Sequence, residues 1–229
     1  MIISISQPTL FPWLGYFDMI DKSDIFVFLD NVKFEKSSWH MRNKLKTITN
    51  NIDDEIWIKI PTTKVKNTTK IQDVLIDNQQ NWMKKHISMF ENNYGNEICK
   101  NLFLEKMYSK KWEKLVDFNI EFISNCCKFL KINTKLEKAS NLSVNGEKSK
   151  LVLNICKKLK TSNYLANEGS KEYLEKDKDI FEKENIKITY HNFQHPKYRQ
   201  KGSHFIEKLS ILDLIFNEKN KSSNILFKN

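Results

Sequence analysis

The chain has 229 residues, of which 40% are hydrophobic and 12% aromatic, and its formal net charge is +10. This share of core-forming residues excludes a disordered protein. The absence of any run of about 18 apolar residues excludes a conventional membrane span. Residues 1–17 lack the positive charge and the small-residue cleavage site of a signal peptide, so we expect a cytoplasmic location.

Lysine supplies most of the positive charge. Among 38 Lys and Arg residues only Arg42 and Arg199 are arginines. Proteins that read nucleic-acid sequence usually depend on arginine for bidentate contacts. The composition therefore favours a solvated basic surface, and it leaves open the attraction of a polyanion such as a nucleotide-sugar, a tRNA or an anionic lipid.

The four cysteines show no C-x-x-C spacing; they are Cys99, Cys126, Cys127 and Cys156. We expect small buried residues in a reducing compartment, with a reactive thiol as the alternative.

The first thirty residues predict a βαβ unit. Residues 1–6 are typical of a short strand, 13–22 of a helix with one apolar face, and 25–29 of a buried parallel strand. A strand, a helix and a parallel strand in this order predict an α/β fold whose parallel sheet is opened by this N-terminal βαβ unit.

Later segments continue the alternation around a central helical segment. The patterns predict a strand at 56–60, helix across 80–131 with Gly95 as a C-cap, a helix at 147–160, a strand at 163–166, a small helix at 170–176, a strand at 186–190 and a closing helix. We expect a single α/β domain over residues 1–229, with a helical insertion or subdomain at about 78–160.

Polar and aromatic residues follow the first two predicted strands. After the first strand come Gln7, Trp13, Gly15 and Tyr16, and after the second come Asp30, Asn31, Lys33, Trp39, Arg42 and Asn43. Ligands of open α/β sheets bind outside the carboxyl ends of strands, so we expect both groups to line one pocket. The alternative is a hydrogen-bonded structural corner.

A third polar cluster lies near the C-terminus and comprises His191, His195, Tyr198, Arg199, Gln200 and His204. His191 and His195 are four positions apart, a spacing that suits metal binding only on a helix. Pro196 argues against a helix here, so we predict no metal site. Functional polar groups concentrate on loops, which makes His195, Tyr198 and Gln200 candidates for catalysis or substrate binding. The alternative is a loop that packs over the sheet.

Two further polar residues fall in apolar helical patterns. We expect His86 to be a packed core histidine. Asp213 would be costly to bury unpaired, so we expect it to pair with Arg42 or a lysine, with a catalytic role as the alternative. The sequence contains no P-loop, no G-x-G-x-x-G, no G-x-S-x-G and no paired-carboxylate spacing, which argues against Walker ATPases, ordinary Rossmann dehydrogenases and serine hydrolases. No cofactor is predicted.

The opening QPTLFPWLGYF followed by DIFVFLDNVKFEKSSWHMRNKLK resembles the start of the WbqC-like family. The resemblance continues through DEIWIKIP, SNYLANEGSKEYL, the Phe193–Gln200 motif F-x-H-P-x-Y-x-Q and LSILDLIFN, and so covers nearly the whole chain. It implies a bacterial protein of O-antigen and related lipopolysaccharide synthesis that works near nucleotide-activated sugars. One departure is Ala166–Asn167, where the family usually has Ser-Gly.

A second resemblance concerns only the first turn. S-Q-P-T-x5-G-Y is similar to the opening of HIGH-motif nucleotidyl-transferring enzymes such as pantothenate synthetase. Gly15 is kept, but Trp13 and Tyr16 stand in the turn and neither histidine of that motif is present. Adenylyl transfer on such a fold would therefore need other hydrogen-bond donors to the ATP phosphates.

Three functions fit these observations. The first is a transferase that modifies, for example N-acylates, a nucleotide-linked amino sugar, with Asp30 or His195 as the proton acceptor and with Arg42 and Lys33 clamping phosphate. The second is a non-catalytic sugar-binding or scaffold protein of the glycan pathway. The third is an aminoacyl-tRNA-dependent acyl transferase. The sequence names neither the sugar nor the donor, and it leaves the oligomeric state open.

Overall fold

The structure is a computed structural model, and it describes residues 1–95 and 103–227. The chain divides into two compact units. Unit 1 comprises Met1–Pro8, Gly15–Asn31 and Ile132–Gln194, and unit 2 comprises Thr9–Leu14, Val32–Lys131 and His195–Asn229. Cys99 lies outside the described residues.

The strands and helices of both units are numbered in chain order. The strands are β1 (Ile2–Ser6), β2 (Ile25–Phe28), β3 (Arg42–Thr49), β4 (Ile52–Lys59), β5 (Lys135–Lys138), β6 (Asn163–Ala166) and β7 (Lys187–Tyr190). The helices are α1 (Leu14–Asp21), α2 (Trp82–Tyr94), α3 (Leu104–Tyr108), α4 (Leu115–Leu130), α5 (Lys148–Lys158), α6 (Lys171–Lys176), α7 (Lys178–Glu182), α8 (Ile211–Glu218) and α9 (Ser222–Leu226).

Unit 1 is built on a five-stranded parallel sheet with the order β5-β2-β1-β6-β7. The predicted α/β class, the parallel sheet and its opening βαβ unit are confirmed. Chain order runs outward from β1 to β2 and β5 on one side, and then to β6 and β7 on the other. The direction of winding therefore reverses between β1 and β6, which is the topological switch point of a doubly wound sheet.

Side-chain contacts show that helices cover both faces of this sheet. On one face Phe26 of β2 makes an edge contact with Tyr16 of α1. Tyr164 of β6 points to the opposite face, where it stacks on Phe181 of α7. The centre of β1 is buried at Ile3, Ser4 and Ile5, which requires cover on both faces. Strands covered on both faces are near-continuously apolar, as residues 25–28 are.

Unit 2 contains an antiparallel hairpin of β3 and β4 beside a helical core. Asn50 and Asn51 connect the strands, and both have positive φ values, 51° and 62°, as a type I′ turn requires. The sequence prediction placed a strand at 56–60 and missed β3. Cationic residues at alternate positions of RNKLKTIT hide the apolar period of that strand.

The helical core of unit 2 is largely aromatic. The ring of Phe11 makes edge contacts with Phe90, Phe118 and Phe122. α2 ends at Tyr94, and Gly95 is its C-cap, as predicted. The stretch predicted as helical, 80–131, is not one continuous helix beyond Gly95, because α3 ends at Tyr108 and α4 begins at Leu115. Of the helices in the predicted 78–160 segment, α2, α3 and α4 belong to unit 2 and α5 belongs to unit 1.

The cysteines that the structure describes are buried and free: Cys126, Cys127 and Cys156. Burial raises the pKa of the Cys126 thiol, and it raises the pKa of Cys156 to about 12. These two thiols are therefore protonated at neutral pH and poor nucleophiles. Across residues 1–95 and 103–227, every helix is too short or too polar to cross a membrane.

Candidate functional site

The residues predicted to form a ligand site fall in both units. Unit 1 holds Gln7, Gly15, Tyr16, Asp30 and Asn31, and unit 2 holds Trp13, Lys33, Trp39, Arg42, Asn43, His195, Tyr198 and Gln200. The two groups are described separately, and a single shared pocket stays a prediction.

In unit 1 the predicted residues stand at the carboxyl edge of the sheet. Gln7 follows β1, and the Tyr16 hydroxyl donates a hydrogen bond to its carbonyl oxygen at 3.1 Å. Asp30 follows β2 and is buried. Its Oδ1 accepts from the Ser140 amide at 2.9 Å and its Oδ2 accepts from the Ser140 hydroxyl at 2.6 Å. Asp30 thus ties the end of β2 to the turn that follows β5.

Asn31 leaves one acceptor unused at the same edge. Its Oδ1 is fully enclosed and has no hydrogen-bond partner among the residues that the structure describes. Buried polar atoms almost always have a partner, and one without a partner calls for a water or a ligand donor. Asn31 is therefore a good candidate for ligand contact.

A buried carboxylate–imidazole pair in unit 1 was not predicted. Oδ2 of Asp18, on α1, lies 2.5 Å from Nε2 of His191, which directly follows β7. The two side chains are only 4% and 7% exposed. Lys22 also donates to Asp18 Oδ2, at 2.7 Å. Burial alone would raise the pKa of Asp18, but the hydrogen bonds from His191 and Lys22 outweigh it and hold that pKa below its usual value.

In unit 2 two exposed tryptophans lie beside cations on one face of the hairpin. Trp39 and Trp57 are 51% and 41% exposed, and their ring centres are 5.6 Å apart. The guanidinium carbon of Arg42 is 4.3 Å from the centre of the Trp57 ring, and Lys44 Nζ is 5.1 Å from it. Lys59 pairs with Arg42 across the strands and so shares its face. These five residues are called the indole surface.

The cations of the indole surface differ in their partners. Lys44 forms an ion pair with Glu55. Arg42 makes no ion pair with any carboxylate among the described residues of unit 2, and its contact is with Trp57. Its five N–H donors are thus held in one orientation by stacking without being consumed by an acid.

Asn43 fits the structural alternative. Its amide donates to the carbonyl oxygens of Leu10 and Phe11, at 2.9 and 2.8 Å, and its Oδ1 accepts from the Lys44 amide at 2.7 Å. Phe11 has a φ of 46°, rare for a bulky residue, so the Asn43 amide holds a strained turn. Nearby, Trp13 forms an isolated β-bridge with Ser210, and Lys33 is exposed.

Asp213 is the centre of a buried polar network in unit 2. Its carboxylate accepts from the hydroxyl of Tyr94 at 2.7 Å, the hydroxyl of Tyr198 at 2.8 Å and the amide of Gln200 at 2.8 Å. The expected pairing with Arg42 or a lysine is wrong: two phenols and an amide hold this acid. Burial raises the pKa of Asp213 although these three donors oppose the shift.

The segment from His195 to His204 is fastened to its surroundings. Nδ1 of His195 bonds to the Pro196 carbonyl oxygen at 2.9 Å, and Nε2 accepts from the Lys208 amide at 3.3 Å. Further along, Asp53 accepts from the Ser203 and His204 amides, each at 2.9 Å. Both nitrogens of His195 are engaged, which leaves it poorly placed as a proton acceptor.

His86 is a packed core histidine, as predicted. Its Nδ1 bonds to the Tyr108 hydroxyl at 2.8 Å and its Nε2 to the Lys59 carbonyl oxygen at 2.9 Å. Burial lowers its pKa to about 4. Throughout the described part of the chain, His, Cys, Asp and Glu side chains form no cluster of three or more that could hold a metal ion.

Comparison with known proteins decides the family. The model of the WbqC-like protein family matches residues 7–225. The chain belongs to this family. The match contains every candidate residue described above, in both units. A protein of Mycobacterium tuberculosis named Uncharacterized protein Rv1507c is 28% identical over 225 residues, which is 94% of this chain and 93% of that protein. No solved structure matches the chain.

Proposed function

We propose that this protein is a transferase of bacterial surface-glycan synthesis that modifies, by N-acylation, an amino sugar carried on a nucleotide. The observation that carries the proposal is the guanidinium of Arg42, stacked on Trp57 and without a carboxylate partner among the described residues of unit 2. The resemblance of the sequence to a family associated with glycan synthesis supports the pathway.

The indole surface has the chemistry that a sugar phosphate requires. An arginine fork binds phosphate oxygens in pairs, and a guanidinium already held against an indole loses less freedom on binding. The exposed indole of Trp39 offers a flat apolar face on which a pyranose ring or a base stacks. Lys59 adds a further cation on the same face. A net charge of +10 favours an anionic partner.

Unit 1 supports a catalytic role for the protein. In doubly wound sheets ligands bind outside the carboxyl ends of the strands at the switch point, which here lies between β1 and β6. Gln7 and the segment Asn167–Gly169 follow those two strands. Asp30 and Asn31 stand on the neighbouring strand end and offer acceptors to a hydroxyl or an amine. We assign them to substrate binding.

A non-catalytic sugar-binding protein is the second candidate. The indole surface favours it as well, because stacking and charge alone suffice to hold a sugar phosphate. The two candidates differ in turnover, since both predict binding but only the transferase consumes an activated acyl donor.

The test uses UDP-N-acetylglucosamine as the binding probe and UDP-glucosamine with acetyl-coenzyme A as the reaction probe. Titration followed by tryptophan fluorescence should show binding, because Trp39 and Trp57 are exposed. Arg42→Ala should raise Kd at least about tenfold, the loss expected from a charge-assisted hydrogen bond of about 1.5–3 kcal/mol. Arg199→Ala is the matched control, because Arg199 is an exposed arginine outside the indole surface.

Three outcomes are distinct. Binding that Arg42→Ala weakens, together with acetyl transfer to UDP-glucosamine, supports the transferase. Binding that Arg42→Ala weakens without transfer favours the sugar-binding protein. Equal binding by Arg42→Ala and Arg199→Ala contradicts both candidates at this surface.

A further inference from the structure

We infer that His191, oriented by Asp18, is the general base of unit 1, the group that accepts the proton of a substrate amine. The inference rests on the proposed function for the class of reaction. The geometry of the pair stands independently of it.

The hydrogen bond at Nε2 fixes which nitrogen of His191 can act. Nε2 lies 2.5 Å from a carboxylate oxygen of Asp18, which has no proton of its own to donate at neutral pH. The shared proton therefore belongs to Nε2, and a neutral imidazole then carries its lone pair on Nδ1. A carboxylate that holds one imidazole nitrogen so that the other accepts a proton is the arrangement of the catalytic triads.

Nδ1 of His191 is available to a substrate. Among the residues that the structure describes, no hydrogen bond engages this atom. The side chain is 7% exposed, so a small part of it remains open to solvent. The other buried histidines differ: both ring nitrogens of His86 are bonded, and Nδ1 of His40 is bonded to the Ser38 hydroxyl.

The position of the pair in unit 1 suits this role. His191 is the first residue after β7, so it stands at the carboxyl edge of the sheet, where Gln7 and Asp30 also stand. Phe193 stacks on the imidazole, with ring centres 6.2 Å apart, and this contact limits rotation of the ring. Asp18 is a positioning residue, and Lys22 stabilises its charge from the solvent side.

The proton transfer balances within an acyl transfer. The neutral amine attacks the carbonyl carbon of an activated acyl ester or thioester, so a C–N bond forms and the bond to the leaving oxygen or sulfur breaks. The amine nitrogen releases one proton to Nδ1 of His191. The resulting imidazolium, stabilised by Asp18, returns that proton to the leaving group, and the neutral imidazole is regenerated.

The first experiment measures the tautomer directly. Long-range ¹H–¹⁵N correlation spectra of the full chain with ¹⁵N-labelled histidine, recorded near pH 8, show which nitrogen of His191 carries the proton. We expect the proton on Nε2. Asp18→Ala should produce a mixture of both tautomers, because the acceptor is lost. A proton on Nδ1 in the parent protein would overturn the inference.

The second experiment measures the reactivity of Nδ1. Diethyl pyrocarbonate modifies unprotonated imidazole nitrogens, and mass spectrometry locates the product. His191 should react faster than His86, whose two ring nitrogens are both bonded. The exposed His204 is the positive control, because its modification shows that the reagent is active. Equal protection of His191 and His86 would contradict the inference, because a base that a small electrophile cannot reach cannot serve an amine.

The third experiment separates catalysis from structure. His191→Gln keeps a donor toward Asp18, so the melting temperature should fall little, whereas acetyl transfer to UDP-glucosamine should fall about 10²- to 10⁴-fold in kcat. Fluorescence binding of UDP-N-acetylglucosamine should be unchanged. Transfer at the parent rate would overturn the inference. If the parent protein itself transfers no acetyl group, the transferase proposal fails, and the tautomer and reactivity still decide whether His191 can act as a base.

Discussion

The guanidinium of Arg42 lies over the ring of Trp57, with its central carbon 4.3 Å from the ring centre. The sequence allowed two roles for this rare arginine, a phosphate clamp or an ion pair with a buried acid. Asp213 is satisfied by Tyr94, Tyr198 and Gln200, which removes that acid as a partner. Since Arg42 has no carboxylate partner among the described residues of unit 2, the hydrogen-bonding edge of its guanidinium is available to an anion.

Gly202 should be intolerant of a side chain. Its φ is +94°, and a Cβ added there would overlap the carboxylate of Asp53, which holds the Ser203 and His204 amides. Gly202→Ala should therefore detach the segment around residue 203 from β4 and make it sensitive to limited proteolysis. Gly169→Ala is the control, because a Cβ there meets nothing closer than 3.5 Å and its φ is not in the left-handed region. Equal protease resistance of both variants would contradict this interpretation.

Asp213→Asn should destabilise the protein by about 1–3 kcal/mol, the cost of a buried polar group without a partner. The carboxylate accepts three hydrogen bonds, and an amide replaces one acceptor with a donor that faces existing donors. Urea denaturation measures the change in the free energy of unfolding. Asp73→Asn is the matched control on an exposed acid. A change at Asp213 no larger than the control would show that the network contributes little.

His86 should make the fold sensitive to acid. Its pKa in the folded protein is about 4, below the value of 6.5 expected in the unfolded chain. Protons therefore bind the unfolded chain first, so stability is full above pH 6.5 and declines as the pH falls from 6.5 toward 4. From pH 7 to pH 5 this one residue should cost about 2 kcal/mol. His86→Gln should reduce the slope of stability against pH, whereas His204→Gln, an exposed residue, should leave it unchanged.

The parts of the fold that the sequence predicted are those with local signals. The patterns that predict β1, α1, β2, β6 and β7 lie within short windows of sequence. Each predicted range agrees with the structure to within about two residues at either end. β5 was missed because Lys135–Lys138 has only one apolar residue, Leu136, and takes its place by pairing with β2. β3 was missed because its lysines and Arg42 form one face of the hairpin.

The candidate site likewise contains residues that a local sequence pattern predicts and residues that it does not. Residue type and position after a strand marked Asp30, Trp39 and Arg42. Asp18 and His191 are 173 positions apart, and no local pattern relates them. The position of Asp18 is nevertheless informative, because an acid between Phe17 and Met19 on a buried helix requires a partner. The same reasoning predicts that Asp213 is buried, but it does not identify the hydrogen-bond donors that hold its carboxylate.

The central claim is that Arg42 binds the phosphate of a nucleotide-linked sugar. Its most direct test is the affinity of purified Arg42→Ala for UDP-N-acetylglucosamine, measured by fluorescence titration beside its melting curve and beside Arg199→Ala. We expect the Arg42→Ala protein to melt close to the parent and to bind at least about tenfold more weakly, while Arg199→Ala matches the parent in both. An Arg42→Ala protein that melts many degrees lower and binds the nucleotide-sugar with parental affinity once folded would contradict the claim, because Arg42 would then be a structural residue.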